Sequence, residues 1–243
     1  MKISILFILT QQGRSLRGKL RAQLLEVLHP CSRVGFCLSK MQTEFIEAIK
    51  NNQTEFGLNL DDEKISRLAD YYEFVMANND LLHLVAPSSP ETFATRHILE
   101  SLTLLEFLPK HAKFADVGTG AGLPAIPCLI VREDLKAYLI ESKLKKVKFL
   151  DGVLAKCKLT NRARIISHQF EEAERPEVSH ITCRALDKFT QKLPKLLKWS
   201  KNANLLLFAG NSLRDALTKN NVQFQEKLMP LSEQRFLFIS QKS

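Results

Sequence analysis

The chain has 243 residues, 45% of them hydrophobic and 25% charged, with a net charge of +9, which is the make-up of a folded globular protein and excludes an intrinsically disordered one. No apolar run reaches the roughly 18–20 residues that cross a bilayer, and the five cysteines show neither CxxC pairs nor a dense framework. A reducing cytoplasm, no membrane and no metal are therefore expected.

The charge is uneven. Residues 1–40 hold seven basic residues against one acidic residue, Glu26, so +6 of the +9 lies there and +3 is left for residues 41–243. MKISILFILTQQGRSLRGKLRAQ joins a short apolar run to an arginine-rich stretch, but no A-x-A cleavage site follows. A targeting segment or basic arm is one reading. The preferred one is a mispredicted upstream extension, with MQTEFIEAIKNN at Met41 as the natural start.

From Met41 to His111 apolar residues recur with the helical period, which predicts an N-terminal helical lobe over 41–111. Phe45, Ile46, Ile49 and Phe56 form one stripe. A second, behind a cap at Asp61 or Asp62, holds Ile65, Leu68, Ala69, Tyr72 and Val75. Pro87 and Pro90 break the chain, and a third stripe follows with Phe93, His97, Leu102 and Leu105.

From Lys113 short apolar runs alternate with helical stretches: FADVG, KAYLIE, ARIIS, HITCRA and NLLLFAG, the first, second, fourth and fifth each followed by a helical stretch. That alternation predicts a parallel sheet covered by helices on both faces. The closing runs FQEKLMPL and RFLFISQ are near enough to pair as an antiparallel hairpin at the sheet's edge. Seven strands are expected.

DVGTGAGLP, residues 116–124, ends the first strand at Asp116 and places Gly118, Gly120 and Gly122 before a helix. Glycines there let a ligand approach the backbone, and a helix N-terminus offers free N–H groups. The spacing is G-x-G-x-G, which departs from the dinucleotide fingerprint G-x-G-x-x-G and argues against a dehydrogenase; no phosphate-binding P-loop is present. Glu141 closes KAYLIE nineteen residues after Gly122, where an acid can accept from a ribose diol. Such a pairing suits a nucleoside ligand without a pyrophosphate, of which S-adenosylmethionine is one.

DVGTGAGLPAIP resembles motif I of the RsmG (GidB) family of ribosomal RNA methyltransferases. NNDLLHLVAP, TRHILESL, LIESKLKKVKFL, HQFEEA and ITCRAL extend the resemblance from about Thr43 to the end of the chain. The resemblance implies a Class I (Rossmann-like) methyltransferase domain over 112–243, S-adenosyl-L-methionine as cofactor, and methylation of N7 of a guanine in the 530 loop of 16S rRNA in the small ribosomal subunit. It implies cofactor contacts around Asp116, Gly118, Gly120, Gly122 and Leu123, a ribose-binding acid at Glu141, and an adenine-side pair at Phe170 and Glu171. Arg184 of CRAL matches the family arginine and is the candidate for holding cofactor or guanine. The family's alanine is replaced by Phe170, an aspartate by Glu100, and a lysine after the fifth strand by Ala209.

Guanine N7 already presents a lone pair, so the reaction needs positioning rather than a general base. For RNA the candidates are Arg96 and His97, and a basic footprint of Lys143, Lys145, Lys146 and Lys148 with Lys156, Lys158, Arg162 and Arg164. The first four lysines would line the solvent side of a helix whose buried stripe is Leu144, Val147, Leu150, Leu154 and Cys157. Cys183 is expected to be a small buried strand residue. The alternatives are a methyltransferase of small molecules or proteins, and a non-catalytic RNA-binding module on the same fold. A monomer is expected.

Overall fold

The computed structural model describes residues 30–184 and 188–240, with side chains described from Lys40 onward. Most of the 1–40 segment, and residues 185–187 of the CRAL motif, lie outside the described residues. The chain divides into two units, residues 1–43 and 44–243.

The first two N-terminal helices follow the predicted stripes apart from a half-buried Ile46. In the third, Phe93 and Leu102 are buried, His97 and Leu105 are only half-buried, and Ile98 and Leu99 fill the core instead. Helix α1 is Pro30–Asn52, and α2 is Asp62–Leu82, capped by the Asp61 side chain accepting from the Lys64 N–H at 2.8 Å. Helix α3 starts as Pro90–Thr92, passes through a π-helical stretch, Phe93–Leu99, and resumes as Glu100–Leu102. The π-helical turn has no signature in the apolar period and was not expected. Phe45, Tyr72 and Phe93, one from each helix, meet as a buried aromatic cluster, with Phe45 stacked 4.6 Å from Tyr72 and Phe93 5.0 Å from it.

Seven strands follow: β1 (Lys113–Val117), β2 (Lys136–Ile140), β3 (Ala163–Ile166), β4 (His180–Arg184), β5 (Asn204–Ala209), β6 (Gln225–Leu228) and β7 (Phe236–Ser240). Their order is β3-β2-β1-β4-β5-β7-β6, with β1 to β5 parallel and β7 antiparallel to both its neighbours. The closing pair is thus the expected antiparallel edge hairpin, with β6 outermost. Its connection is longer than the spacing of the two runs suggests: the last inter-strand hydrogen bond runs from the Met229 N–H to the Arg235 carbonyl at 2.9 Å, and the Arg235 N–H then turns to the Ser232 hydroxyl within the connection.

Side chains alternate across the sheet. One face presents Val117, Ile140, Ile181, Cys183, Leu205 and Leu207 to Leu193 and Leu196 of α6 (Phe189–Ser200) and to Leu213 and Leu217 of α7 (Asn211–Lys219). Cys183 is fully buried, as expected. Toward the other face lie α4 (Ala125–Val131) and α5 (Leu144–Lys156); α2 packs on both and α3 on α4. The buried side of α5 is Phe149, Leu150, Val153 and Leu154, whereas Leu144 is 68% exposed and Val147 and Cys157 only half-buried. The expected stripe therefore starts too early. The rings of Phe74 and Phe149 stand 5.6 Å apart, so the contact with α2 is centred more than a turn beyond Leu144.

Candidate active site

The chain crosses over between β1 and β4, where successive connections leave in opposite directions and open a crevice at the carboxyl ends of the strands. β1 delivers Asp116 to that edge, between Leu139 of β2 and Thr182 of β4, with no exposed surface. The Thr119 hydroxyl donates to Asp116 Oδ2 at 2.6 Å and the Ala125 N–H to the same oxygen at 3.4 Å, while Oδ1 has no partner. Burial raises the Asp116 carboxyl to about 7, against the opposing pull of these two hydrogen bonds.

The loop beyond is bent by glycine. Gly120 and Gly122 sit at φ +57° and +93°, and a Cβ on Gly122 would lie 2.3 Å from Ile126 Cγ1. Gly118 and Thr119 donate their N–H groups to the Ile140 carbonyl at 2.9 and 3.2 Å, folding the loop over the end of β2. From the other side the Tyr71 hydroxyl donates to the Ala121 carbonyl at 2.9 Å. Glu141, the first residue after β2, is 7% exposed; its Oε2 accepts from the Gly120 N–H at 3.1 Å and its Oε1 from the Lys143 N–H at 2.8 Å. Each of these oxygens keeps a second lone pair for a ligand hydroxyl.

Gly118, Gly120, Glu141, Phe170 and Glu171, together with Lys143 and Lys146, line a cleft of about 360 Å3. That falls within the roughly 300–1,000 Å3 of small-molecule sites. Bare backbone along one side and a carboxylate at a strand end suit the ribose and tail of S-adenosylmethionine. Asp116, Gly122 and Leu123 are buried behind the loop and shape it rather than line the cleft. The Phe170 ring, 3% exposed, turns to Trp199, edge-on at 5.8 Å. His168, the first residue of HQFEEA, and Lys192 also line the cleft, though neither was a candidate site residue.

Arg184, Arg96 and His97 come together elsewhere on the same edge, around a cavity of about 420 Å3 walled by Phe189, Phe208 and Phe236. Arg184 Nη2 donates to Glu100 Oε2 at 3.0 Å and to the Arg96 carbonyl. Glu100 Oε1 accepts from Arg235 Nε at 2.6 Å. Arg184 Nη1 and His97 Nδ1 are buried without a partner, and the Arg184 guanidinium lies 5.4 Å over the Phe208 ring. Burial, with Arg184 close by, lowers the His97 imidazole to about 3 and keeps it neutral. Glu100 and Arg235 were missed as site residues because the contacts that define them join positions 84 and 135 apart in the chain. Ala209 and Gly210 line this cavity too. Lys145 and Lys148 are exposed on α5 and line neither cavity.

Among the described residues no group of three or more His, Cys, Asp or Glu could hold a metal ion, and no helix is long and apolar enough to cross a membrane. The family model for rRNA small subunit methyltransferase G matches residues 64–239. A relative of that description from Sorangium cellulosum is 33% identical over 171 residues, covering 66% of this chain and 70% of its own. Another, from Aliarcobacter butzleri, is 37% identical over 145 residues, covering 59% of this chain and 73% of its own. Among solved structures, a SAM dependent methyltransferase from Aquifex aeolicus superposes with a TM-score of 0.50 at 16% identity, over 61% of this chain and 92% of that one. A ribosomal protein L11 methylase from Lactobacillus delbrueckii subsp. bulgaricus does so with a TM-score of 0.50 at 14% identity, over 61% and 79%. At such identities these two likenesses speak for the fold.

Proposed function

Because the chain belongs to the rRNA small subunit methyltransferase G family, we propose that it methylates N7 of a guanine in the 530 loop of 16S rRNA, acting on the small ribosomal subunit. Membership makes it an S-adenosylmethionine-dependent rRNA methyltransferase; the base, the atom and the loop are the proposal. The observation that carries it is the pairing of two cavities along one sheet edge. The glycine-loop cleft lies at the ends of β1 and β2 and the arginine cavity at the ends of β4 and β5. Val117 and Cys183, near those ends, are register partners in adjacent strands.

In this reading Glu141 holds the cofactor's ribose hydroxyls and Gly118 and Gly120 give its tail access to the backbone. The bound cofactor supplies an electrophilic methyl group on a sulfonium. Guanine occupies the arginine cavity, where Phe208 and Phe236 offer faces for the base. The spare Nη1 of Arg184 donates to guanine O6, leaving N7 free with its lone pair. No side chain needs to take a proton, since N7 carries none; the protein's part is to hold the two reactants in line. The base gains positive charge as it reacts, and Glu100, shared between Arg184 and Arg235, keeps the site from being purely cationic. In the same reading Lys145 and Lys148, exposed on α5, meet phosphates of the RNA.

The test is nucleoside mapping of 16S rRNA from a strain lacking the gene. Loss of a single 7-methylguanosine from the 530 loop, restored by the wild-type chain, is expected. A full complement of 7-methylguanosine in the deletion strain would overturn the proposal.

A further inference from the structure

The opposite edge of the sheet carries a basic surface that methyl transfer does not use. The β3–β4 connection, residues 167–179, contains no helix. On the face shared with α6 and α7, the starts of β1, β2 and β3 instead border an open cavity of about 410 Å3. Parallel register sets Lys113 beside Lys136 and Tyr138 beside Arg164. Alternate residues of a strand share a face, so these four side chains rise together.

Like charges on directly facing strand positions destabilise a sheet. Here Lys113, Lys136 and Arg164 are exposed, and among the described residues no carboxylate lies within ion-pair distance of any of them. Glu172, Glu174 and Glu177 of the crossing connection are exposed and pair with none of the three. Residues 41–243 carry a net charge of only +3, so three unpaired cations at one spot are a local feature and not a general basicity. Repulsion of this kind is relieved by an external polyanion.

We propose that Lys113, Lys136 and Arg164 grip the phosphate backbone of the substrate rRNA at a point remote from the methylated base. Strand geometry sets the separation. Lys136 starts β2 and Glu141 follows its end, so the two lie roughly 16 Å apart at about 3.3 Å per residue. One stretch of RNA enters the cleft at the carboxyl edge while another lies across the amino edge. This requires a folded RNA or an assembled particle and rests on the rRNA reading above.

The test compares the full-length wild type with K113E/K136E/R164E and with the milder K113Q/K136Q/R164Q. Each is titrated against small ribosomal subunits lacking the methyl group over a salt series. Both variants should bind subunits about tenfold or more weakly at physiological salt, and the salt slope should fall by about 2–3. KM for subunits should rise with kcat unchanged, while calorimetric affinity for S-adenosylhomocysteine stays at the wild-type value and certifies the fold. Subunit affinity and salt slope equal to wild type in both variants would overturn the inference. A wild-type chain that itself fails to bind or methylate subunits would instead overturn the rRNA reading, and the inference with it.

Discussion

Glu100 and Arg184 form a buried ion pair: the carboxylate is 2% exposed, its Oε2 lies 3.0 Å from Arg184 Nη2, and its other oxygen serves Arg235. Removing one member of such a pair leaves a charge stranded in a low-dielectric site, which costs about 3–5 kcal/mol. Glu100→Ala should lower the unfolding free energy by that much in urea titrations, and Arg184→Met by a comparable amount. The double variant should be less destabilised than the sum, with a coupling of at least about 1 kcal/mol. Strict additivity would show that the two residues act independently.

Gly122 has no room for a methyl group. Its φ of +93° strains any L side chain, and Ile126 Cγ1 would sit 2.3 Å from the added Cβ. Gly122→Ala should cost about 1–3 kcal/mol and distort the loop that borders the cleft proposed for the cofactor. Pairing it with Ile126→Ala removes the clash and leaves the backbone strain, so the melting temperature of the double variant should recover only in part relative to Ile126→Ala alone. A G122A chain with wild-type melting temperature and cofactor affinity would contradict this.

Much of the frame behind these predictions was legible from local pattern. Strands announce themselves as short apolar runs, and the bare loop after Asp116 marks a ligand because few other roles need that many glycines together. Glu141 was legible because the residue just past a strand's carboxyl end has a fixed place relative to its neighbour's loop. The double arginine clasp on Glu100 was not, since it joins three elements that only the tertiary fold brings together. Nor was the exposure of Leu144, whose spacing fits the stripe of α5 but whose position precedes the contact with α2. The amino-edge basic surface was legible only at Arg164: Lys113 and Lys136 belong to no motif, and only the strand register brings the three side by side.

Glu141 ties the glycine loop to the start of α5 through two backbone N–H groups and also lines the cleft proposed for the cofactor. Hydrogen bonds to a charged acceptor are worth about 1.5–3 kcal/mol. Glu141→Ala should therefore weaken binding of S-adenosylmethionine and S-adenosylhomocysteine alike, by about 10–100-fold in calorimetry. Glu141→Gln, which keeps one acceptor oxygen, should lose less. Unchanged affinity in the alanine variant would remove Glu141 from the cofactor site.

Asp116 and His97 should bend the pH dependence of stability in opposite directions. Burial raises the Asp116 carboxyl from 3.8 to about 7, so between those values the folded chain keeps a proton that the unfolded chain releases. Its contribution is present at low pH and is lost as pH rises toward 7. For His97, burial lowers the imidazole from 6.5 to about 3, so below 6.5 the unfolded chain takes up a proton that the folded chain refuses. That contribution is present above 6.5 and is lost as pH falls. One proton changes stability by at most about 1.4 kcal/mol per pH unit, and from pH 4 to 6.5 the two slopes oppose each other, leaving the wild type comparatively flat. Asp116→Asn should expose the histidine's slope, with stability rising as pH rises through this window. His97→Gln should expose the aspartate's, with stability falling. Urea midpoints taken every half unit from pH 4 to 7 would show the two variants diverging on either side of the wild type. Curves that run parallel to the wild type would mean that neither group titrates abnormally in the folded protein.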